Sequence, residues 1–369
     1  MNKKALMILG IFAVMAVGLI FWLNKLERKS DQITIGAMMQ LTGNGAIYGN
    51  DMKRGIDLAY NESDIKERIT LVYEDDAGDT RKSIDAFNSF IARNIDIVIG
   101  GTTSNVANGI LPIANRNKVL VLSPKATDPK LSVPDDYFFR IWPTDDVDGM
   151  VSAQFITDDL NLKRVAVFYP NVDYGVGIRN VFVDHLKSKN VQIVFDSNFA
   201  NGATDFRTQI LQIKEAEPDV LFLPAYFVEA VIILKQLNEL NCDFYIAGIS
   251  TFYEKEIINS SGKLKEKVFF TYPLDSLSSQ NPATIQFVEK YKSYYNELPN
   301  AFIAHGYDSF KVLEQNIKQL LENKQMVTSE NLKEAFENME IFHGVTGDFR
   351  FDINGDVTKD LQIIWLRDI

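Results

Sequence analysis

The sequence predicts an α/β fold made of two doubly wound lobes, each built on a parallel sheet. From Ile33 onward, short apolar runs alternate with amphipathic stretches of about 10–15 residues, the pattern of successive strand–helix–strand units. The apolar runs are continuous, as in residues 119–122, which is typical of strands covered on both faces of a sheet. The alternation forms two series that separate near residues 141–147, so two lobes of similar plan are expected.

Each element follows from its own spacing of apolar residues. Residues 49–61 form a predicted helix because Met52 and Ile56 recur at helical spacing. Another helix begins after Ser104, and Pro112 is expected to kink or restart it. The other elements of the first series are strands 33–37, 69–73, 95–100 and 119–123 and helix 81–93. Those of the second series are strands 164–169, 191–195, 219–224 and 244–248 and helices 175–188, 205–216 and 227–240.

Composition excludes several classes of protein. The 369 residues are 46% hydrophobic and 24% charged, so most of the chain is able to bury a core. The net charge of −11 argues against a nucleic-acid binder, which needs a basic surface. A single cysteine, Cys242, excludes an intrachain disulfide and multi-cysteine zinc sites, and the three histidines are scattered, so no metal site is predicted.

Catalytic motifs were sought and not found. The sequence contains no Gly-x-Ser-x-Gly elbow, no P-loop and no Gly-x-Gly-x-x-Gly turn. The carboxylate pairs Asp75-Asp76 and Asp145-Asp146 are more simply interpreted as solvated loop acids or helix caps than as acid–base pairs. We therefore expect no catalytic residues, no cofactor and no enzymatic activity.

The first 31 residues form a signal-anchor or signal segment. Lys3 and Lys4 precede an uncharged run of nineteen residues, 5–23, and basic residues follow it. At ~1.5 Å per residue such a helix reaches roughly 28 Å, which is close to the thickness of a bilayer core. Cleavage after Ala16, the one plausible signal-peptide site, would leave an apolar N-terminus, so an uncleaved anchor is favoured over a cleaved signal.

Ligand-binding candidates come directly after predicted strands. The turn at residues 100–105 combines glycines with Thr102, Thr103 and Ser104 ahead of a helix, where backbone amides favour an anion or a carboxylate, although plain helix capping explains it too. The turn at residues 123–127 contains Lys125 and Thr127. A third set is aromatic and consists of Tyr48, Tyr174 and Tyr226.

Taken together, these segments resemble the type I periplasmic solute-binding proteins, specifically the Leu/Ile/Val-binding family of ABC transporters. The resemblance runs from about Ile33 to Leu366. Its marks are Leu41-Thr42-Gly43 with Tyr48-Gly49, Glu74-Asp75-Asp76-Ala77, Ile99-Gly100 with Ser104, Ser123-Pro124 with Ala126-Thr127, Tyr174-Gly175, Asp205-Phe206 and Gly344-Val345-Thr346-Gly347. It implies two lobes joined by a three-stranded hinge that close on a ligand, with lobe one at residues 32–145 plus 275–345 and lobe two at 146–274 plus 346–369.

The resemblance also implies roles for individual residues. Ser104, beside Thr103, matches the serine that holds the ligand's carboxylate, and Lys125 and Thr127 match positions that bind the amino-acid head group. Tyr48, Tyr174 and Tyr226 match aromatic positions that line the cleft.

One family position departs from the pattern. The acid that pairs with the ligand's ammonium aligns with Ser250, and a neutral hydroxyl does not replace a carboxylate. Either Glu229 or Asp145 substitutes, or the ligand lacks an ammonium group.

The function expected from this resemblance is capture of a small polar solute, such as an amino acid, an amide or a carboxylate, for an ABC permease. The protein is expected to be monomeric and to work in the periplasm or on the outer face of the cytoplasmic membrane, anchored or secreted. The alternative is a membrane-tethered ligand sensor that signals through a partner protein.

Overall fold

The computed structural model describes residues 32–187, 189, 191–273 and 281–369. The predicted anchor or signal segment, residues 1–31, lies outside these residues. Within the described ranges, no helix is both long enough and apolar enough to cross a bilayer.

The first sheet has five described strands in the order β2-β1-β3-β4-β5, and every neighbouring pair is parallel. Strands β3 and β4 are buried at every residue, as the continuous apolar runs predicted. The strands are β1 (Ile33–Met39), β2 (Ile69–Asp75), β3 (Ile97–Ile99), β4 (Leu120–Ser123) and β5 (Phe138–Arg140).

The second sheet repeats this plan and adds one edge strand. Its described order is β13-β10-β9-β8-β6-β7, in which β13 is antiparallel to β10 and the other pairs are parallel. The strands are β6 (Arg164–Pro170), β7 (Gln192–Phe199), β8 (Val220–Phe222), β9 (Tyr245–Gly248), β10 (Val268–Tyr272) and β13 (Gln362–Trp365). The predicted two-lobed α/β fold is therefore confirmed.

Helices cover both sheets, and a small hairpin joins β11 (Phe342–Gly344) to β12 (Gly347–Phe349). The helices described are α1 (Ala46–Asn61), α2 (Thr80–Ala92), α3 (Ser104–Asn117), α4 (Asp145–Gln154), α5 (Asp173–Lys187), α6 (Arg207–Glu215), α7 (Phe227–Glu239), α8 (Lys255–Ser261), α9 (Pro282–Tyr295), α10 (Ala301–Glu322) and α11 (Ser329–Glu337). We call the first sheet with α1–α3 and α9–α11 the first lobe, and the second sheet with α4–α8 the second lobe.

The restart expected at Pro112 is not observed, because α3 runs from Ser104 to Asn117 without a break. Proline removes one intrahelical hydrogen bond, to the carbonyl four residues earlier. Ile110 and Leu111, which directly precede the proline, are buried in the core of the first lobe, and this burial stabilises the turn that lacks the bond.

Helix α10 lies against α1 at very short range, and two glycines make this possible. A Cβ at Gly55 would overlap the carbonyl oxygen of Ile303, and a Cβ at Gly306 would overlap that of Met52. This contact ties the C-terminal helices to the first lobe, although they follow the second lobe in the sequence.

Over the residues that the structure describes, consecutive elements change lobe after β5, after β10 and before β13. The exact lobe boundaries stay a prediction. Hairpin strand β12 pairs with β11, and Asp356 forms a buried ion pair with Arg140 of β5. These contacts favour a last crossing after residue 357 rather than at residue 346.

Candidate ligand-binding site

A cavity lies between the two lobes. Each lobe contributes a crevice, which lies at the point where the strand order of its sheet reverses. In a parallel sheet of order 2-1-3, the connections after strands 1 and 3 leave on opposite faces, and ligands bind between them. The first lobe has this point between β1 and β3, and the second lobe has it between β6 and β8. The two crevices face each other across a cavity of about 60 Å³.

The residues that line this cavity come from the loops at the carboxyl ends of strands in both sheets and from the helices that follow. Amide and hydroxyl side chains dominate, together with one lysine, one glutamate and a few apolar groups. The lining residues are Gln40, Asn44, Gly45, Tyr48, Gly49, Met52, Gly78, Thr102, Thr103, Asn105, Lys125, Val172, Asn201, Tyr226 and Glu229.

The first lobe offers hydrogen-bond donors at the start of α3. The first backbone amides of a helix have no intrahelical acceptor, and the helix dipole favours negative charge there. Thr103 is the N-cap residue, yet its side chain makes no capping bond, and its buried hydroxyl has no partner among the described residues. This end of the cavity is therefore suited to a carboxylate.

Two serines hold the loop that carries Lys125 and Thr127. The Ser123 hydroxyl donates to the Gly101 carbonyl (2.8 Å) and accepts from the amide of Ala126 (3.0 Å). The Ser104 hydroxyl accepts from the amides of Thr127 (3.4 Å) and Asp128 (3.2 Å). Ser104 thus links the start of α3 to this loop.

Arg140 also holds the loop that carries Lys125 and Thr127. Its fully buried guanidinium donates to the carbonyls of Ala126 (3.3 Å) and Asp128 (2.9 Å) and to the Asp356 carboxylate (2.5 Å). An arginine that satisfies carbonyls and a carboxylate at once fixes a loop that lacks regular secondary structure.

The Lys125 ammonium lies among aromatic rings at the cavity wall. Its Nζ is 5.6 Å from the ring centre of Trp142, 5.8 Å from that of Tyr174 and 5.7 Å from that of Phe302. Burial lowers the pKa of Lys125, and the carboxylates of Asp145 and Asp148 partly offset this. No described carboxylate is close enough to form an ion pair with Lys125.

The second lobe presents aromatic and acidic groups. The rings of Tyr174 and Tyr226 stack with centres 5.5 Å apart, and Tyr226 precedes α7 as its N-cap residue. Glu229, in the first turn of α7, is 1% exposed. Its Oε1 accepts from the amide of Gly202 (2.7 Å), and its Oε2 is buried with no hydrogen-bond partner among the described residues.

Two further acids lie near the hinge. Burial raises the pKa of Asp145 well above its usual value, and the neighbouring Asp148 raises it further. Burial also raises the pKa of Asp148 to about 6, although the Thr271 hydroxyl donates to it (2.6 Å). Both carboxylates raise the pKa of Lys125, and Lys125 lowers the pKa of both acids. The ammonium and the two carboxylates therefore stabilise one another's charged forms.

The lobes also meet around Tyr48 and Glu254. Burial raises the pKa of the Tyr48 phenol well above its usual value, and the Glu254 carboxylate of the second lobe adds to this. Burial raises the pKa of Glu254 to about 7, with a contribution from Asp51 of α1. On the opposite edge, the Asn108 amide of α3 donates to Asp173 of α5 (3.2 Å), so the lobes are in contact on both sides.

Comparison with known proteins agrees with this geometry. The family model described as periplasmic binding protein matches residues 32–367. The chain belongs to the periplasmic binding protein family. The Leu/Ile/Val-binding protein homolog 2 of Brucella abortus is 27% identical over 330 residues, 88% of this chain and 87% of the relative.

Two solved structures are similar over most of their length. The leucine-binding protein LivK of Thermotoga maritima has a TM-score of 0.84 at 27% identity and covers 90% of this chain and 94% of its own. The branched-chain amino-acid transporter substrate-binding protein LivJ of Streptococcus pneumoniae, in complex with isoleucine, has a TM-score of 0.81 at 26% identity, covering 90% and 95%. The resemblance to the branched-chain amino-acid type is therefore confirmed.

Members of the periplasmic binding protein family are extracytoplasmic solute-binding proteins, and those of this branch serve ABC uptake transporters. The eight site residues predicted from the sequence stay predictions of ligand contact, and four of them are among the residues that line the cavity. Tyr48, Thr103, Lys125 and Tyr226 line it.

The other four predicted residues are not among the lining residues. Tyr174 stacks on Tyr226, and Ser104 and Thr127 bond to each other within the first lobe. Ser250 is buried in the turn after β9, where its carbonyl accepts from the amide of Tyr253 (3.3 Å).

Several lining residues were missed by the sequence analysis. Gln40 and Asn44 belong to the loop after β1, and Asn105 is in the first turn of α3. Asn201 follows strand β7, and none of these polar side chains belongs to a motif. The available signal was position alone, because each lies shortly after the carboxyl end of a strand. Trp142 and Phe302 were missed because the aromatic wall around Lys125 joins segments far apart in the sequence.

Proposed function

We propose that this periplasmic binding protein captures a small polar solute in the interlobe cavity and delivers it to the permease of an ABC uptake transporter. The observation that carries this proposal is the cavity itself, because both lobes contribute to it at their strand-order crevices. Buried polar groups without partners, such as the Thr103 hydroxyl and the Glu229 Oε2, line it. Such groups are costly to bury unless a ligand satisfies them.

Closure of the lobes is the proposed mechanism. A solute bridging the donors at the start of α3 and the acidic groups of the second lobe binds more tightly to the closed form than to the open one. Ligand binding therefore shifts the protein toward closure by that difference in affinity. The closed form is the form we expect the permease to recognise.

The first test is a thermal-shift screen of the purified full-length chain against amino acids, amides, short carboxylates and sugars. A solute at 100 times its dissociation constant is expected to add about 2.7 kcal/mol to the unfolding free energy. The bound solute is then released and identified. Stoichiometric binding with chemically unchanged solute is expected for a binding protein, whereas turnover would replace this proposal with an enzymatic one.

The location of the site is tested with one matched pair of variants. Thr103→Val removes the unpartnered hydroxyl with little change in shape and is expected to weaken solute binding about tenfold. Thr70→Val changes the same side chain on the edge strand β2, where the exposed Thr70 hydroxyl accepts from Gln32 (2.9 Å), and is expected to bind normally. Equal affinities for the two variants would place the site elsewhere.

We propose further that the N-terminal segment stays attached and anchors the protein to the outer face of the cytoplasmic membrane. The uncharged run of residues 5–23 supports this proposal. Sequencing of the mature N-terminus is expected to start at the first residues of the chain. A start near Val17 would indicate a cleaved signal and a free periplasmic protein.

A further inference from the structure

One face of helix α10 contacts the chain at or near each of the three crossings between the lobes. This face consists of Ala301, His305 and Asp308, which recur at helical spacing and are all buried. We call it the hinge face. Each of its three residues is connected to a different crossing, so one rigid element joins all of them.

The first two crossings contact the hinge face through aromatic side chains. Trp142, which follows β5, has its ring centre 4.3 Å from that of His305. Tyr272, the last residue of β10, accepts a hydrogen bond from the Ala301 amide (2.7 Å). The Ala301 carbonyl in turn accepts from Nδ1 of His305 (2.7 Å). Both crossings are therefore held at the same end of α10.

The last crossing is connected to the hinge face through a buried lysine. Lys359 lies shortly before β13 and is 7% exposed. Its ammonium donates to the Thr346 hydroxyl (2.6 Å), and this hydroxyl donates to the Asp308 carboxylate (2.5 Å). Asp308 also accepts from the backbone amides of Val345 (3.0 Å) and Thr346 (2.8 Å). Lys359 is thus tied both to α10 and to the turn of the hairpin.

The physical chemistry of this arrangement favours a geometric role over a stabilising one. A buried ammonium and a buried carboxylate are each costly to remove from water, and apolar residues of similar volume are often as stable. Burial lowers the pKa of Lys359 to about 7, and the Asp308 carboxylate opposes this shift. The hydrogen bonds through Thr346 add direction, which apolar packing does not provide. They fix the course of the chain at residue 359.

We propose that Lys359 is a positioning residue of the hinge, which fixes the last crossing to the first lobe so that the lobes open along one path. The chain then bends between Lys359 and β13, at Asp360 and Leu361. The other crossings are fixed at Trp142 and Tyr272. Because the three contact points lie along one face of a straight element, the second lobe is expected to rotate about a single axis. This inference rests on the lobe closure proposed above and is independent of which solute binds.

The test measures the distance between the lobes in the solute-free, full-length protein. Spin labels are attached at two exposed positions, through Arg116→Cys in α3 and Glu215→Cys in α6, with the buried cysteine removed by Cys242→Ala. Pulsed electron resonance then gives the distribution of distances between the labels. We expect a narrow open population for the natural hinge. Lys359→Met is expected to broaden this population about twofold, because the released crossing permits several directions of opening.

Lys333→Met is the matched control for this variant. Lys333 is also a buried lysine of the first lobe, where it donates to Asp135 (2.7 Å) and to Glu337, and neither partner belongs to a crossing. This control is expected to leave the width of the open population unchanged. Thr346→Val retains both charges and removes the hydroxyl that joins them. It is expected to broaden the population as well, and it replaces Lys359→Met if that variant does not fold.

The outcomes separate the inference from the closure on which it rests. Equal widths for the natural protein, Lys359→Met and Thr346→Val would overturn the role of Lys359 while closure stands. Equal broadening by Lys333→Met would also overturn it, because a general loss of stability in the first lobe would then explain the effect. A single distance in the natural protein that matches the closed structure would overturn the inference and the closure mechanism together.

Discussion

The first and second lobes bring equivalent loops to the cavity, yet the side chains on those loops differ in charge. Both sheets have the order 2-1-3-4-5 and open a crevice at the same point of that order. The first lobe places Thr102, Thr103 and Lys125 there, and the second lobe places Tyr226 and Glu229. Donors and a cation therefore face an acid and a phenol across the cleft.

This difference shows how a repeated architecture forms an oriented site. The duplicated strand order determines where a ligand binds, because it creates two crevices that face each other. The side chains determine which way round the ligand lies, since a carboxylate is favoured on one lobe and a cation on the other.

The largest expected effect is on stability, and it concerns two arginines. Arg140 in the first lobe and Arg164 in the second each donate to two backbone carbonyls of their own lobe. Arg140→Met leaves the Asp356 carboxylate buried without its cation and removes the donor to the carbonyls of Ala126 and Asp128. Breaking a buried pair in this way costs about 3–5 kcal/mol. Urea denaturation of the natural protein and the variant is expected to show a loss of this size in unfolding free energy.

The matching variant in the second lobe is Arg164→Met. The Arg164 guanidinium donates to the carbonyls of Ala216 (2.7 Å) and Glu217 (2.8 Å), but it is partly exposed and forms no ion pair with a carboxylate among the described residues. Water replaces these bonds, so a loss of about 1 kcal/mol is expected. Equal losses for the two variants would contradict the view that the loop of Lys125 depends on a buried charge pair.

The sequence predicted the two lobes well because the information is periodic and local. Apolar runs such as 119–122 and helical spacing such as that of Met52 and Ile56 depend on neighbours within one element. Strand β5 is the counterexample: its three residues are too short to show a period, and only its pairing with β4 makes it a strand.

The site was predictable only in its loops, not in its contacts. Thr103 and Lys125 follow predicted strands, so their place at the carboxyl edge of a sheet could be inferred. Tyr48 lines the cavity, whereas Ser104 does not and instead bonds to backbone amides of its own lobe. This difference depends on the direction in which each side chain points. No periodicity in the sequence carries that information.

A second prediction concerns the edge of the cleft where Glu254 of the second lobe meets α1 of the first. Burial, together with the Asp51 carboxylate and against the opposing effect of Arg54, raises the pKa of Glu254 to about 7. In the open form Glu254 is expected to regain the ordinary glutamate pKa of 4.5. Between these two values the closed form binds a proton that the open form releases.

Closure, and with it solute affinity, is therefore expected to weaken as the pH rises from about 5 to 7 and to level off above that range. We expect about a tenfold loss of affinity between pH 5.5 and 8, measured by calorimetry. Glu254→Gln is expected to flatten this profile. Glu256→Gln, an exposed neighbour that pairs with Lys235 (3.3 Å), is expected to retain it, and the same flattening in both variants would exclude Glu254 as the source.

The smallest expected effect comes from the opposite edge of the cleft, where one amide bridges the lobes. The Asn108 side chain donates to Asp128 of its own lobe (2.9 Å) and to Asp173 of the second lobe (3.2 Å). Asn108→Ala removes the interlobe bond, which exists only in the closed form. Because the site is partly exposed, we expect a loss of about 1 kcal/mol in closure and about a fivefold loss in solute affinity.

Asn117→Ala is the control for this variant, since Asn117 lies on the same helix and its side chain donates to the Ile113 carbonyl of its own lobe (2.8 Å). Both substitutions place alanine in α3 and change its intrinsic stability similarly. Calorimetric titration of the two variants therefore isolates the interlobe bond. A fivefold difference between them would measure the contribution of direct lobe-to-lobe contact to closure. Equal affinities would mean that closure is stabilised by the contacts of the bound solute with the two lobes and not by this bond.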